Sequence, residues 1–397
     1  MRALPAWLLP ALLCAGLAGG VVPCAAQGAA PEFHGNLDVT LSTRGQGALY
    51  NTLDYGHTPF DAYGLRLLMA AQPSSAFNLD AEIRFSDAGG VRLYGAYATW
   101  TPDRERDLHL ELGKLPWALG TWGPRSDSEH NPLIGVPLMY SFPTALKDDQ
   151  LPSSTDALLS APRPTAWGGE YDTTAGAERG MRIISDSEWD VGATLRGTLH
   201  PLEFALGAVQ GAPGAPAPGR DTNDGKSVIG RIGLSPAPAL RFGVSGSWGA
   251  YLDDAVSDGL PAGAHVTQYR QRLGMADAQL LLGHLELRAE GAINVWETPT
   301  VGELRVGGGY GEARLVFATR WYAAARGDRL RFSRVVESTG RSLPWDHDLD
   351  RAEGGIGYRI ERRASLKAVA QRTWDHDADE NETYAYDLVA LQFVLSF

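Results

Sequence analysis

The residues best equipped for chemistry in this 397-residue chain stand near its C-terminal end, in two copies of one tetrapeptide. Trp345-Asp346-His347-Asp348 and Trp374-Asp375-His376-Asp377 are each followed by further acids: Asp350 after the first, Asp379, Glu380 and Glu382 after the second. Carboxylates and imidazoles gathered this way could hold calcium or magnesium, since hard cations take oxygen ligands. Two solvated acidic loops would look the same, and that is the favoured expectation. Gly243-Val244-Ser245-Gly246-Ser247 half resembles a nucleophile elbow, but it lies inside an alternating stretch and not at a strand-to-helix turn. Gly307-Gly308-Gly309-Tyr310-Gly311 also lies inside such a stretch and no helix follows, so its glycines give curvature or room and no phosphate loop. The nine histidines form no Ser-His or Asp-His grouping that stands out from surface background. No catalytic residue, metal or cofactor is expected.

Both cysteines, Cys14 and Cys24, fall within an N-terminal segment in which Met1-Arg2 precede an apolar run from Ala3 to Val22. Pro23-Cys24-Ala25-Ala26-Gln27 then supplies small residues, so residues 1–26 read as a secretory signal peptide and 27–397 as the mature chain. A lipid-modified cysteine is the rival reading, but Leu13 and Pro23 stand where a small residue is expected. Cysteine chemistry is thereby excluded from the mature chain. After Gln27 no run of 18 apolar residues appears, which excludes an ordinary spanning helix. The net charge of -12 gives no attraction for nucleic acid.

What must position these residues is a set of strands, because apolar residues recur with a period of two along most of the mature chain. Phe77, Leu79, Ala81, Ile83 and Phe85 alternate with Asn78, Asp80, Glu82, Arg84 and Ser86. Leu285, Leu287, Ala289, Ile293 and Val295 alternate with Glu286, Arg288, Glu290 and Asn294. A soluble sandwich also alternates, but here the polar face carries full charges in mid-strand, such as Arg196, Arg314, Glu353 and Arg359. Unpaired ions in a dry core cost several kcal/mol each, so the reading places them in a watered lumen with lipid on the other face. The fold class is therefore all-β, a transmembrane antiparallel β-barrel of sixteen strands, with eighteen possible. A strand-like stretch from Arg179 to Ser185 is rejected, because it would make the number odd and put long loops on opposite sides in the two halves. With sixteen, the short links at Gln72-Ser75, Thr101-Arg106, Leu199-Pro201, Ser235-Ala237, Leu282-Gly283, Ala318-Thr319 and Glu361-Arg363 share one side. Tryptophans and tyrosines near strand ends, including Trp100, Trp248, Tyr251, Trp296, Trp321 and Trp374, fit interfacial girdles.

Residues 116–187 separate the fifth and sixth strands and are too long for a plain connector. Trp117, Trp122, Leu133, Ile134, Leu138, Tyr140 and Phe142 give the segment something to pack with. We expect it to fold into the lumen and narrow it, an outer surface lid being the alternative. Arg125, Asp127, Glu129, His130, Lys147, Asp148 and Asp149 are then candidates to line the narrow point, with Arg84, Arg196, Arg288 and Arg314 on the wall.

The final stretch, Tyr384 to Phe397, alternates up to a terminal Phe397. It resembles the C-terminal strand by which bacterial outer-membrane proteins are recognised by their assembly machinery. Gly113-Lys114-Leu115-Pro116-Trp117-Ala118-Leu119-Gly120 and Asn131-Pro132-Leu133-Ile134-Gly135 resemble the strand end and following loop of porins of the phosphate-selective kind. The resemblance implies a trimeric or monomeric pore in contact with membrane lipids and lipopolysaccharide. Phosphate selectivity does not carry over, because that family's ligand lysines cannot be placed here. The expected function is a passive diffusion channel for small hydrophilic solutes or ions across the bacterial outer membrane. An outer-membrane hydrolase working at the rim, and a structural barrel anchoring lipopolysaccharide or a partner, are the alternatives.

Overall fold

The computed structural model describes residues 30–43, 62–86, 90–103, 107–161, 180–185, 189–377 and 385–397. The signal-peptide expectation and the acids Asp379, Glu380 and Glu382 lie outside them. Sixteen strands close into one antiparallel barrel. The first five are β1 (Glu32–Ser42), β2 (Ala62–Ser74), β3 (Phe77–Ser86), β4 (Gly90–Asp103) and β5 (Leu108–Pro116). After the long segment come β6 (Trp189–Leu199), β7 (Leu202–Val209), β8 (Ser227–Ala237) and β9 (Leu240–Ala250). Then follow β10 (Arg270–Leu282), β11 (Leu285–Thr298), β12 (Gly302–Ala318) and β13 (Trp321–Phe332). A small hairpin, β14 (Arg334–Val336) with β15 (Ser342–Pro344), stands in the next outward loop and forms its own two-stranded sheet. The barrel finishes with β16 (Leu349–Glu361), β17 (Ala364–Asp375) and β18 (Tyr386–Ser396).

Each strand pairs with its neighbour in the chain, β13 pairs with β16, and β18 pairs with β1 from Asn36↔Ser396 to Ser42↔Ala390. Closure leaves no edge, so every strand has a partner on both sides, as lipid requires. The sixteen alternating segments of the sequence match these strands, while the β14–β15 hairpin was not foreseen. Residues 180–185 are irregular, in keeping with their rejection as a strand.

Alternation places the greasy residues outside. Ile293 is 68% exposed and Val244 57%, whereas their inward neighbours Asn294 and Ser247 are buried. Such a face survives only against hydrocarbon. Trp100 and Trp321 project near one end of the barrel and Trp248 and Trp374 near the other, forming two girdles. Trp296 and Tyr251 do not join them. Both are buried, Trp296 edge-on against Trp345 at 5.9 Å, because their parity points them into the lumen.

An arginine in the middle of the outer belt should be costly and one near its edge tolerated. Ile293→Arg is expected to destabilise the folded barrel by about 2–4 kcal/mol, and Leu282→Arg, at a strand end, by about 0–1 kcal/mol. Chemical unfolding of protein inserted in lipid vesicles reads both; equal costs would refute the assigned belt.

Candidate pore constriction

From Pro116 the chain turns into the barrel, and two glycines of the Gly113-to-Gly120 motif set its path. Gly113 has a φ of +132°, and a Cβ there would stand 2.5 Å from the Ala96 carbonyl oxygen. Gly120 has a φ of +55°, with a Cβ 2.7 Å from the Tyr140 hydroxyl. Only glycine accepts both positions without strain.

Beyond Gly120 the segment travels around the inside of the wall, and charged wall residues meet its backbone. The Gly120 N–H donates to Ser245 Oγ on β9 at 3.0 Å and the Thr121 N–H to Glu290 Oε1 on β11 at 2.7 Å. Arg125 pairs with Glu312 on β12. The Ser128 hydroxyl donates to Asp38 on β1 at 2.6 Å and accepts from Asn36 at 2.8 Å. Lys367 on β17 donates to three carbonyls, those of Ser128, Asn131 (2.7 Å) and Leu133 (3.3 Å). The Ile134 and Gly135 N–H groups donate to Glu353 on β16 at 3.2 and 2.8 Å, and the Leu138 N–H to Asp328 on β13 at 3.1 Å. Asn131 closes its own turn through Gly135 O and Leu133 N, both at 3.1 Å. Above this circuit Trp122, Tyr140, Phe142 and Met139 pack on inward Tyr310, Val306, Leu330 and Phe332. The segment is an internal crescent against β9–β13 and β16–β2, not a surface lid.

This corrects one expectation. The charges of the lumen do not all stand in water. Arg326 lies between Glu353 (2.6 Å), Glu312 (3.4 Å) and Asp328 (3.5 Å), and the side chains of Arg326 and Glu353 are fully buried. The inward segment covers them, and ion pairing with backbone hydrogen bonds makes their burial tolerable. Across the barrel the wall is more open: Arg196 on β6, paired with Glu111 on β5 at 2.7 Å, is 31% exposed, while Arg314, on the same side as the segment, is 30% exposed.

Some of the charges expected at a narrow point are brought together where the crescent meets β2, β3 and β4. Asp127 binds Arg66 at 2.8 Å, Arg66 binds Glu82 at 2.9 Å, and Glu82 binds Arg84. The Arg84 guanidinium lies 3.6 Å from the centre of the Tyr94 ring, and Lys114 donates to Leu93 O at 2.7 Å. Asp127 also accepts from the Glu129 and His130 N–H groups and meets His130 Nδ1 at 2.8 Å. Burial alone would raise the Asp127 carboxyl, but the His130 hydrogen bond and the Arg66 charge bring it down to about 2. The His130 imidazole is raised above its ordinary 6.5, chiefly by its hydrogen bond to Asp127. Asp127, Glu129 and His130 offer ligand atoms within 4.8 Å of one another. The Asp127 oxygens are already engaged by Arg66, His130 and two peptide groups, so the cluster is a capped turn tied to the wall. Arg84, Arg196, Arg288 and Arg314 each stand beside a carboxylate of the same face of the sheet, Glu82, Glu111 and, for the last two, Glu286. Arg125 is buried in its pair and is structural.

Lys147, Asp148 and Asp149 lie apart from this cluster. The Asp253 N–H of an outward loop donates to Asp148 O at 3.0 Å, which puts these residues at the outer mouth. There burial, and then the Asp149 charge, push the Asp148 carboxyl up to about 6. Sequence reading missed Asp38, Asp328 and Arg351, three wall residues that hold the segment. Their alternating parity was available; the partners they reach were not.

Among the described residues the twin tetrapeptides form a clasp and not two separately solvated loops. The Asp348 N–H donates to Asp377 at 2.8 Å, and the His376 N–H to Asp348 O at 3.0 Å. His347 meets Asp375 at 2.7 Å with both side chains buried. Trp345 is buried and donates to Arg305 O at 2.8 Å, while Asp346 accepts the Ala145 N–H at 2.7 Å. One repeat thus pins the returning end of the inward segment, and the other braces it from outside.

No family model matches the chain, and no curated protein matches it. Solved structures do. A Salmonella typhi OmpF in complex with daunomycin aligns at a TM-score of 0.55 and 9% identity, over 92% of this chain and 97% of that one. A loop-deleted OmpT, an outer membrane protein of Vibrio cholerae, aligns at 0.53 and 10%, over 93% and 99%. A porin refined at 1.8 Å aligns at 0.51 and 11%, over 93% and 100%. At such identities the likeness is one of fold: the closed antiparallel sixteen-stranded barrel that these porins share.

Two outcomes follow from this geometry. Lys367→Met should leave three buried carbonyls without their shared donor, at a cost of about 1–3 kcal/mol each at most. Amide exchange at residues 128–135 should then rise while the strands stay protected; unchanged exchange would count against the ammonium as anchor. The Asp127–His130 contact is bounded by pH on both sides. Its carboxylate part is present above the free value of 3.8 and lost as pH falls toward about 2, because the folded pKa is depressed. Its imidazolium part is full below 6.5 and lost as pH rises through the elevated folded value. Protection at residues 127–131 should therefore be greatest near pH 4–6.5, and His130→Ala should remove the alkaline decline and move the acid decline to higher pH.

Proposed function

We propose that the chain is a passive diffusion channel for small hydrophilic solutes or ions across the bacterial outer membrane, with no chemical step. The observation that carries this reading is the asymmetry of the lumen. An inward segment packs one side dry, while the opposite wall keeps partly exposed charges of both signs, the Arg196–Glu111 pair among them. A barrel wall that must only hold itself together has no need of wet charges, whereas solutes leaving water do. Phe397, whose backbone closes on Gly35 (N–H to Gly35 O at 2.9 Å), is the proposed mark for the assembly machinery. Lipopolysaccharide and membrane lipids are the proposed neighbours of the outer belt. A homotrimer is the proposed assembly, as one neighbour is described in a trimer form.

A second reading, a structural barrel closed by its own loop, draws on how densely Trp122, Leu133, Ile134 and Tyr140 fill the lumen.

Purified protein in planar bilayers separates the two. Stepwise conductance is expected, and silence from folded protein would overturn the channel in favour of the closed barrel. Arg84→Glu should move the ion preference toward cations, because Arg84 ends the charge ladder that crosses the narrow point; an unmoved reversal potential would remove it from the path.

A further inference from the structure

Beneath the inward segment lies a cavity of about 470 Å³, bounded above by the Glu129–Pro132 turn. Its floor is the short turn Glu361–Arg363 between β16 and β17, on the periplasmic side by the rule that short turns face that way. Six arginines and Lys367 line it, against three glutamates. Glu286 is spent on two of the arginines, paired with Arg288 and 3.8 Å from Arg314. Arg359, Arg362 and Arg363 form no ion pair among the described residues and are exposed toward this space.

The walls are not only basic. Tyr322 forms one side, with the Arg314 guanidinium 4.7 Å from its ring centre, and Pro132, Ala364 and Val394 add apolar surface. The volume lies in the range of small-molecule pockets and exceeds what an inorganic anion fills. Guanidinium forks match carboxylates in plane and charge, and each such pair is a strong contact.

We infer that this vestibule binds a small organic anion, a carboxylate with an apolar body, and holds it at the periplasmic end of the lumen. The carboxylate meets Arg359 and Arg363, and the carbon skeleton lies against Tyr322 and Val394. The inference deepens the channel reading by naming a solute class, and rests on that reading for its place in transport but not for binding itself.

Calorimetric titration of the detergent-solubilised full-length protein with benzoate, and separately with inorganic phosphate, tests it without requiring conductance. Benzoate should bind with one site per chain and more tightly than phosphate. Arg359→Gln and Arg363→Gln should each weaken benzoate about tenfold, and Arg341→Gln, on an outer loop, should leave it unchanged. Heat-modifiable migration on gels checks that each variant is folded, and Arg362→Gln replaces any that is not. Absent benzoate binding, binding indifferent to these arginines, or phosphate binding as tight as benzoate would each overturn the inference. Bilayer silence combined with benzoate binding would overturn the channel and leave the vestibule standing.

Discussion

A polypeptide that enters the lumen of a barrel brings peptide groups that must be met by partners, and it covers wall charges that had been facing water. The structure solves both demands with the same contacts. Glu290, Glu353 and Asp328 accept the N–H groups of Thr121, Ile134, Gly135 and Leu138, and Lys367 takes the carbonyls of Ser128, Asn131 and Leu133. In these contacts wall charges are met by peptide groups of the segment, and those peptide groups by the wall. Removing either side strands the other, because an uncompensated buried ion costs far more than a lost neutral hydrogen bond.

The geometry of the lumen follows from that reciprocity. Since the anchors lie on β9–β13 and β16–β2, the segment is held to one side, and the remaining arc keeps water and exposed charge. Apolar packing of Trp122, Tyr140 and Phe142 then stiffens the crescent from above. The clasp made by the two Trp-Asp-His-Asp repeats fastens its exit through Asp346 and Ala145. Below it, the basic vestibule is the space left between the crescent and the turn at Glu361–Arg363. Constriction and vestibule are therefore two consequences of one anchoring pattern.

The strands themselves were legible because their cause is local. An outward residue meets lipid and an inward one does not, so Phe77 to Ser86 or Leu285 to Val295 carry the answer within ten residues, and closure into an even number of strands limits the rest. The inward course of residues 116–146 was also legible, from length and apolar content. Which candidates would reach the narrow point was not. Asp127 and Lys147 look alike as loop charges, yet one binds Arg66, 61 residues away, and the other points to Gln150 at the outer mouth.

Sequence alone thus determined the all-β barrel and the identity of its greasy face, since a period of two is imposed residue by residue by the surrounding medium, and it left sixteen strands beside eighteen until the closed sheet decided for sixteen. Only the tertiary structure decided which charges are dry and which are wet. Arg125 meets Glu312 across 187 positions and Gly135 meets Glu353 across 218, pairings set by where the segment runs inside a closed cylinder and by nothing in the neighbouring residues. The same holds for Asp346 and His347, which read as solvated loop residues and are buried because a second loop folds over them.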